Sequence, residues 1–136
     1  MKKIVLTILV AAATLFADVD WAIDYQDALL ESKESGKPVF VMISSEGCNY
    51  CYFMKSQVFT QKKVSEFLNE NFIPVELDLK NDPLPDYLKP YGTPTFYIVY
   101  ISGKRKRVSR PIVGAAKADA FLQRIKKELE AFRKKV

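Results

Sequence analysis

Cys48 and Cys51, in the stretch Ser44-Ser45-Glu46-Gly47-Cys48-Asn49-Tyr50-Cys51, are the only two cysteines among 136 residues. Two thiols at this spacing can work as a pair: one attacks an external disulfide, and the other resolves the mixed disulfide that forms. Their surroundings assign the order. The apolar run Pro38-Val39-Phe40-Val41-Met42-Ile43 reads as a buried strand, and Phe53, Met54 and Val58 keep helical spacing after the pair. A strand-to-helix turn puts Cys48 at a helix N-terminus, where unpaired N–H groups and the positive end of the helix dipole favour thiolate over thiol. Cys48 is therefore the expected nucleophile and Cys51 the expected resolving thiol.

C-x-x-C also serves as half of a zinc site or as a staple across a turn. A tetrahedral structural zinc site needs four ligands, usually Cys or His. The chain has no third cysteine and no histidine, so it cannot build one from those residues alone. A staple closing so short a loop removes little entropy from the unfolded chain. Redox chemistry is the reading that the strand, turn and helix favour. It implies no cofactor.

The length and the 49% hydrophobic and 27% charged residues suit one well-packed domain. Lys2 and Lys3, the apolar residues from Ile4 to Ala13, and Leu15-Phe16-Ala17 before Asp18 read as an export leader cleaved after Ala17. At 14 residues, Ile4 to Ala17 is short of the roughly 20 needed to span a bilayer. The expected organisation is a leader at 1–17 and a domain at 18–136, working in the periplasm, where disulfides persist. Without the leader the formal charge falls from +5 to +3. Its distribution is uneven: residues 18–103 carry 7 basic and 13 acidic side chains, and 104–136 carry 12 and 3. Such asymmetry can mark a nucleic-acid or acidic-surface contact through Lys104 to Arg107. With no interleaved aromatics for base stacking, a turn and a solvated helix face are favoured, and no nucleic acid is expected.

Further elements follow from pattern. Asp24 caps a helix from Tyr25 to about Ser35, ended by Gly36 and Pro38. The cysteine helix runs to about Phe59, and Thr60 caps another through Val64, Phe67 and Leu68. Phe72 to Lys80 alternates as a strand, with Glu76 and Asp78 on its polar side. Three prolines between Asn81 and Pro90 leave room for a short helix or turn. Thr95 to Ile101 is an aromatic, β-branched strand, Ser102-Gly103 a hairpin turn and Arg107 to Val113 its partner. A last helix carries Ala118, Phe121, Leu122, Ile125, Leu129 and Phe132. The expected fold is α/β: a mixed four-stranded sheet with helices on both faces, parallel where a helix intervenes and closed by an antiparallel hairpin.

With Gly92-Thr93-Pro94-Thr95 before an aromatic strand and Val113-Gly114-Ala115 leading into the last helix, residues 21–136 resemble the thioredoxin superfamily. The resemblance implies a thioredoxin-like fold and a cis Thr93-Pro94 bond beside the cysteines. Thr93, Pro94 and Tyr50 are then the expected substrate-contacting residues, with an extended segment pairing to Thr93 like an added strand. Three positions depart from the family pattern. Gly47 stands where Trp is usual, Met42 where a buried Asp is usual, and Glu76 where Lys is common. The proton acceptor for Cys51 is thus expected to have moved to Glu76. The Asn49-Tyr50 spacer is similar to those of periplasmic reductases, isomerases and glutaredoxins.

The leading function is an exported thiol-disulfide oxidoreductase that reduces other exported proteins and is recharged by a membrane electron-donor protein. Glu46 disfavours a second negative charge on Cys48, and the spacer holds no cation, which points away from a strong oxidant. The alternatives are a disulfide isomerase and a non-catalytic peptide-binding module. Isomerases of this type dimerise through an added domain, so a monomer is expected.

Overall fold

The computed structural model describes residues 18–135. The expected leader at 1–17 lies outside the described residues. Helix α1 (Tyr25–Ser35) starts where the Asp24 carboxylate accepts from the Asp27 N–H at 2.8 Å, and ends at Gly36, whose φ of 78° suits glycine alone among common residues. Strand β1 (Val39–Ser44) follows and is buried along its whole length. Helix α2 (Asn49–Phe53) leads into a wider, π-helical turn (Met54–Val58), closed by the Phe59 N–H on the Met54 carbonyl at 2.8 Å. Then come α3 (Lys62–Asn71), β2 (Ile73–Asp78), β3 (Thr95–Ser102), β4 (Arg105–Val108), β5 (Ile112–Val113) and α4 (Ala118–Lys134).

The sheet runs β2-β1-β3-β4, with β5 also paired to β3. β1 and β2 are parallel, as expected for strands joined through helices. β3 is antiparallel to β1, which corrects the expectation of parallel pairing beyond the first crossover. The cause is the connection: residues 79–94 form turns, without the short helix placed there, and they return the chain in the opposite sense. The predicted strand over 107–113 is broken in two. Val108 pairs with Val99 and Ile112 with Phe96, so the second strand has one more residue than the first between the same two rungs. Ser109 occupies the bulge, its N–H donating to the Ile98 carbonyl and its hydroxyl accepting from the Ile98 N–H, both at 2.8 Å. Pro111, with no N–H to donate, suits a strand interruption. Glu128 of α4 pins the bulge through the Arg110 N–H and guanidinium, each at 3.3 Å. Thr60 also differs from expectation: its hydroxyl donates back to the Ser56 carbonyl, and Gln61 precedes α3 with no side-chain cap.

Helices lie on both faces. One side of the sheet packs against α2, α3 and α4, the other against α1 and the turns near Leu88. Phe40 centres the larger core, with ring centroids of Phe96, Phe72, Phe121 and Phe59 at 5.5, 5.7, 6.1 and 6.3 Å. In the smaller core the Tyr25 and Tyr87 hydroxyls meet at 2.9 Å.

Phe40→Ala should cost roughly 3–5 kcal/mol in chemical unfolding, because a fully buried ring leaves a cavity that four fixed rings cannot fill. Burial, then the hydrogen bond with Tyr87, raises the Tyr25 pKa, so the folded state keeps its proton where the unfolded chain ionises, above about pH 10. Stability is complete below that pH and falls as pH rises above it. Tyr25→Phe should flatten this alkaline loss in a pH series of unfolding curves.

Candidate active site

β1 ends at the buried Ser44, and the chain must turn there before α2 can begin. Gly47 makes the turn at φ 77°, with nothing within 4 Å of where a Cβ would stand. Space would admit a side chain, but the left-handed backbone disfavours one by about 1–2 kcal/mol.

Cys48 is the N-cap of α2. Its Sγ accepts from the Cys51 N–H at 3.1 Å, the role a Ser or Asp oxygen plays in other caps. The same N–H would stabilise a thiolate once the pair is reduced. Cys48 and Cys51 are joined as a disulfide with Cα atoms 5.3 Å apart. Cys48 is half-buried, while Cys51 is only 3% exposed and belongs to the larger core beside Met42 and Met54.

On one side of the pair lies the loop before β3. The Thr93-Pro94 bond is cis, and the Thr93 carbonyl oxygen is 3.5 Å from the Cys48 Sγ. Pro94 is buried and its carbonyl accepts from the Gly114 N–H at 2.8 Å, which ties this loop to the segment before α4. The Thr93 N–H has no partner among the described residues. Tyr50, 69% exposed, stands clear of the core at the front of α2.

On the other side is a cleft of about 370 Å³ whose walls include Glu46, Cys48, Cys51, Tyr52, Lys55 and Glu76. Met42 and Glu76 are register partners on adjacent parallel strands, so both side chains point to the helix α2 face. β1 carries no acid on this face, and β2 carries Glu76 opposite Met42. Glu76 Oε1 accepts from Lys55 Nζ at 3.0 Å and from Ser44 Oγ at 3.1 Å. Neither partner was identified from sequence. Lys55 lies four residues after Cys51, the spacing of helix neighbours, and that is the available sign.

In the reduced protein, a soft alkylating agent at neutral pH should label Cys48 and leave Cys51 protected until the chain unfolds. Mass mapping that finds Cys51 modified first would reverse the assigned roles.

Rat (Rattus norvegicus) "Spermatogenesis-associated protein 20" is 33% identical over 75 residues, 55% of this chain and 9% of that protein. The chain thus spans less than a tenth of that curated relative. Among solved structures, a thioredoxin from Thermus thermophilus superposes with a TM-score of 0.68 at 24% identity, covering 82% of this chain and 87% of that one. A structure titled "DsbH Oxidoreductase" gives 0.65 at 18% identity, covering 88% and 90%. At these identities the structures establish the fold, which is thioredoxin-like. The family described as Thioredox_DsbH, protein of unknown function, DUF255, matches residues 11–103, and the chain belongs to that family within the thioredoxin superfamily.

Proposed function

We propose that the protein is an exported thiol-disulfide oxidoreductase that works as a reductase on disulfides of other exported proteins. The observation that carries this reading is the environment of Cys48: a partly exposed sulfur capped by the Cys51 N–H, flanked by the Thr93-Pro94 loop on one side and the cleft on the other, above a buried partner thiol. In the reduced protein the Cys48 thiolate attacks one sulfur of a substrate disulfide. That bond breaks, its second sulfur leaves as a thiolate, and a mixed disulfide forms. Cys51 then loses its proton and attacks the Cys48 sulfur. The substrate departs with both thiols reduced, and the pair is left oxidised. Thr93, with its free N–H, Pro94 and Tyr50 line the approach of the substrate strand.

Glu76 is the group proposed to take the Cys51 proton. It shares the cleft with Cys51, and its Oε1 is held by Lys55 and Ser44 while its Oε2 has no hydrogen-bond partner among the described residues. A dithiol donor must return two electrons per cycle, and in an oxidising compartment a membrane electron-donor protein is the proposed source. The apolar run at residues 4–17 supports export.

Reduction of insulin disulfides by the donor-recharged protein tests the activity. Turnover should vanish in Cys48→Ser, while Cys51→Ser should accumulate mixed disulfides with its partners. No turnover by the native pair would leave a peptide-binding module in place of the enzyme. Glu76→Gln should slow substrate release much more than capture and alter the pH dependence of release alone. Equal effects on both steps would reduce Glu76 to a strand carboxylate paired with Lys55. A midpoint potential of roughly −270 to −180 mV suits a reductase or isomerase, and a value near −120 mV would make the pair an oxidant.

A further inference from the structure

A closed series of contacts runs from Cys48 to Cys51 behind the Thr93-Pro94 loop. The Cys48 Sγ lies 3.5 Å from the Thr93 carbonyl oxygen, and the Pro94 carbonyl accepts from the Gly114 N–H at 2.8 Å. Two residues on, the Ala116 N–H donates to the thioether sulfur of Met54 at 3.4 Å. The Met54 N–H donates in turn to the Cys51 carbonyl, inside the helix that carries both cysteines. Met54 therefore joins the helix to the segment 114–116, and that segment joins Met54 to the loop.

The loop and the segment are both fixed to the sheet, because β5 pairs Val113 with Thr95 and Ile112 with Phe96. The cysteine helix is not part of the sheet. A disulfide sulfur has no proton to donate, and neither has a thiolate, so the Cys48 contact with the Thr93 carbonyl is no hydrogen bond in either state. Among the described residues, the bond from Ala116 to Met54 is then the one hydrogen bond between α2 with its π-helical turn and the loop and segment. Its acceptor is a fixed post: the Met54 N–H is engaged by the Cys51 and Tyr50 carbonyls, and its carbonyl by the Phe59 N–H. Met54 is also fully buried. Packing alone asks there for an apolar side chain of about that size, which Leu would supply, whereas only the sulfur offers the acceptor.

We propose that Met54 is a positioning residue for substrate capture: its sulfur sets the spacing between Cys48 and the Thr93-Pro94 loop that an incoming peptide strand must bridge. The proposal rests on the reading of that loop as a substrate contact. A polypeptide that pairs with Thr93 while its disulfide meets Cys48 is held at two points, so its capture depends on their separation. A small disulfide meets Cys48 alone and does not register where the loop lies. Met54 itself exchanges no proton and no electron; it acts through the place of the loop.

The test measures how fast the reduced protein captures insulin and bis(2-hydroxyethyl) disulfide in single-turnover reactions, and takes the ratio of the two rates. In Met54→Leu the ratio should fall roughly three- to tenfold, the scale of one net hydrogen bond. General loosening of the fold would change both rates together and leave the ratio where it was. Met54→Gln, whose side-chain carbonyl can accept from the same N–H, should recover part of the loss. If unfolding curves show that Met54→Leu is not folded, biosynthetic exchange of methionine for norleucine takes its place, with the same fall expected. Of the two described methionines only Met54 uses its sulfur as an acceptor, so that exchange removes the same bond. A ratio unmoved in the folded sulfur-free protein overturns this proposal alone. Native protein that captures the small disulfide and not insulin overturns the reductase reading, and the proposal with it.

Discussion

β1 has no solvent-facing side. All six of its residues are buried, it is paired on both edges, and helices cover both faces. A strand in that position cannot shift register by one residue, because the shift would exchange the residues offered to two different cores. Phe40 and Met42 serve the larger core, while Val39, Val41 and Ile43 serve the smaller. Everything near the cysteines is measured from this fixed rod. The point where it meets solvent is the point where the chain must turn, and the turn carries Cys48. The partner of Met42 on the next strand is Glu76, and Thr95, the antiparallel partner of Ile43, follows directly on Thr93 and Pro94.

Much of this was legible because the physics is local. An Asp before a helical pattern, a Gly after it and an alternating strand each depend on residues close in sequence, and α1, β1 and α4 lie where the pattern puts them. What was not legible depends on distant partners. The bulge at Ser109 depends on Ile98 and on Glu128 of α4. Thr60 could have accepted from the N–H groups that open α3, but its hydroxyl instead donates to the Ser56 carbonyl four residues back in the preceding helix. At the site, the cysteine pair could be read from residue types and spacing, and the place of the Thr93-Pro94 loop from the family resemblance. The contacts of Lys55 and Ser44 with Glu76 could not, since three separate elements must meet to make them.

The uneven charge along the sequence has a structural side as well. A helix C-terminus leaves carbonyls without internal partners and carries the negative end of the dipole. Lys37 donates to the Asn69 carbonyl near the end of α3, and Arg107 donates to the Phe132 carbonyl near the end of α4 at 3.2 Å, with its guanidinium 4.6 Å from the Phe132 ring centroid. Arg107 thus closes a helix and covers an aromatic edge of the core in one contact. A basic run in sequence is therefore not a single feature. In the stretch from Lys104 to Arg107, the last residue belongs to the packing and the first two belong to the surface.

The wide turn at Met54–Val58 sets the angular phase between the two halves of one helix. Each α-helical residue advances the chain by about 100° around the axis, and a π-helical turn absorbs one residue more than an α-helical turn does. Upstream of it, the helix is oriented by chemistry, with Cys48 toward solvent and Cys51 toward the core. Downstream, Val58 and Phe59 are oriented by the aromatic core. A regular helix would fix one orientation by the other, so any sequence that packed Phe59 well would dictate where Cys51 points. The extra residue works as a rotational spacer. It lets the reactive turn and the buried anchor be set independently on a single continuous element.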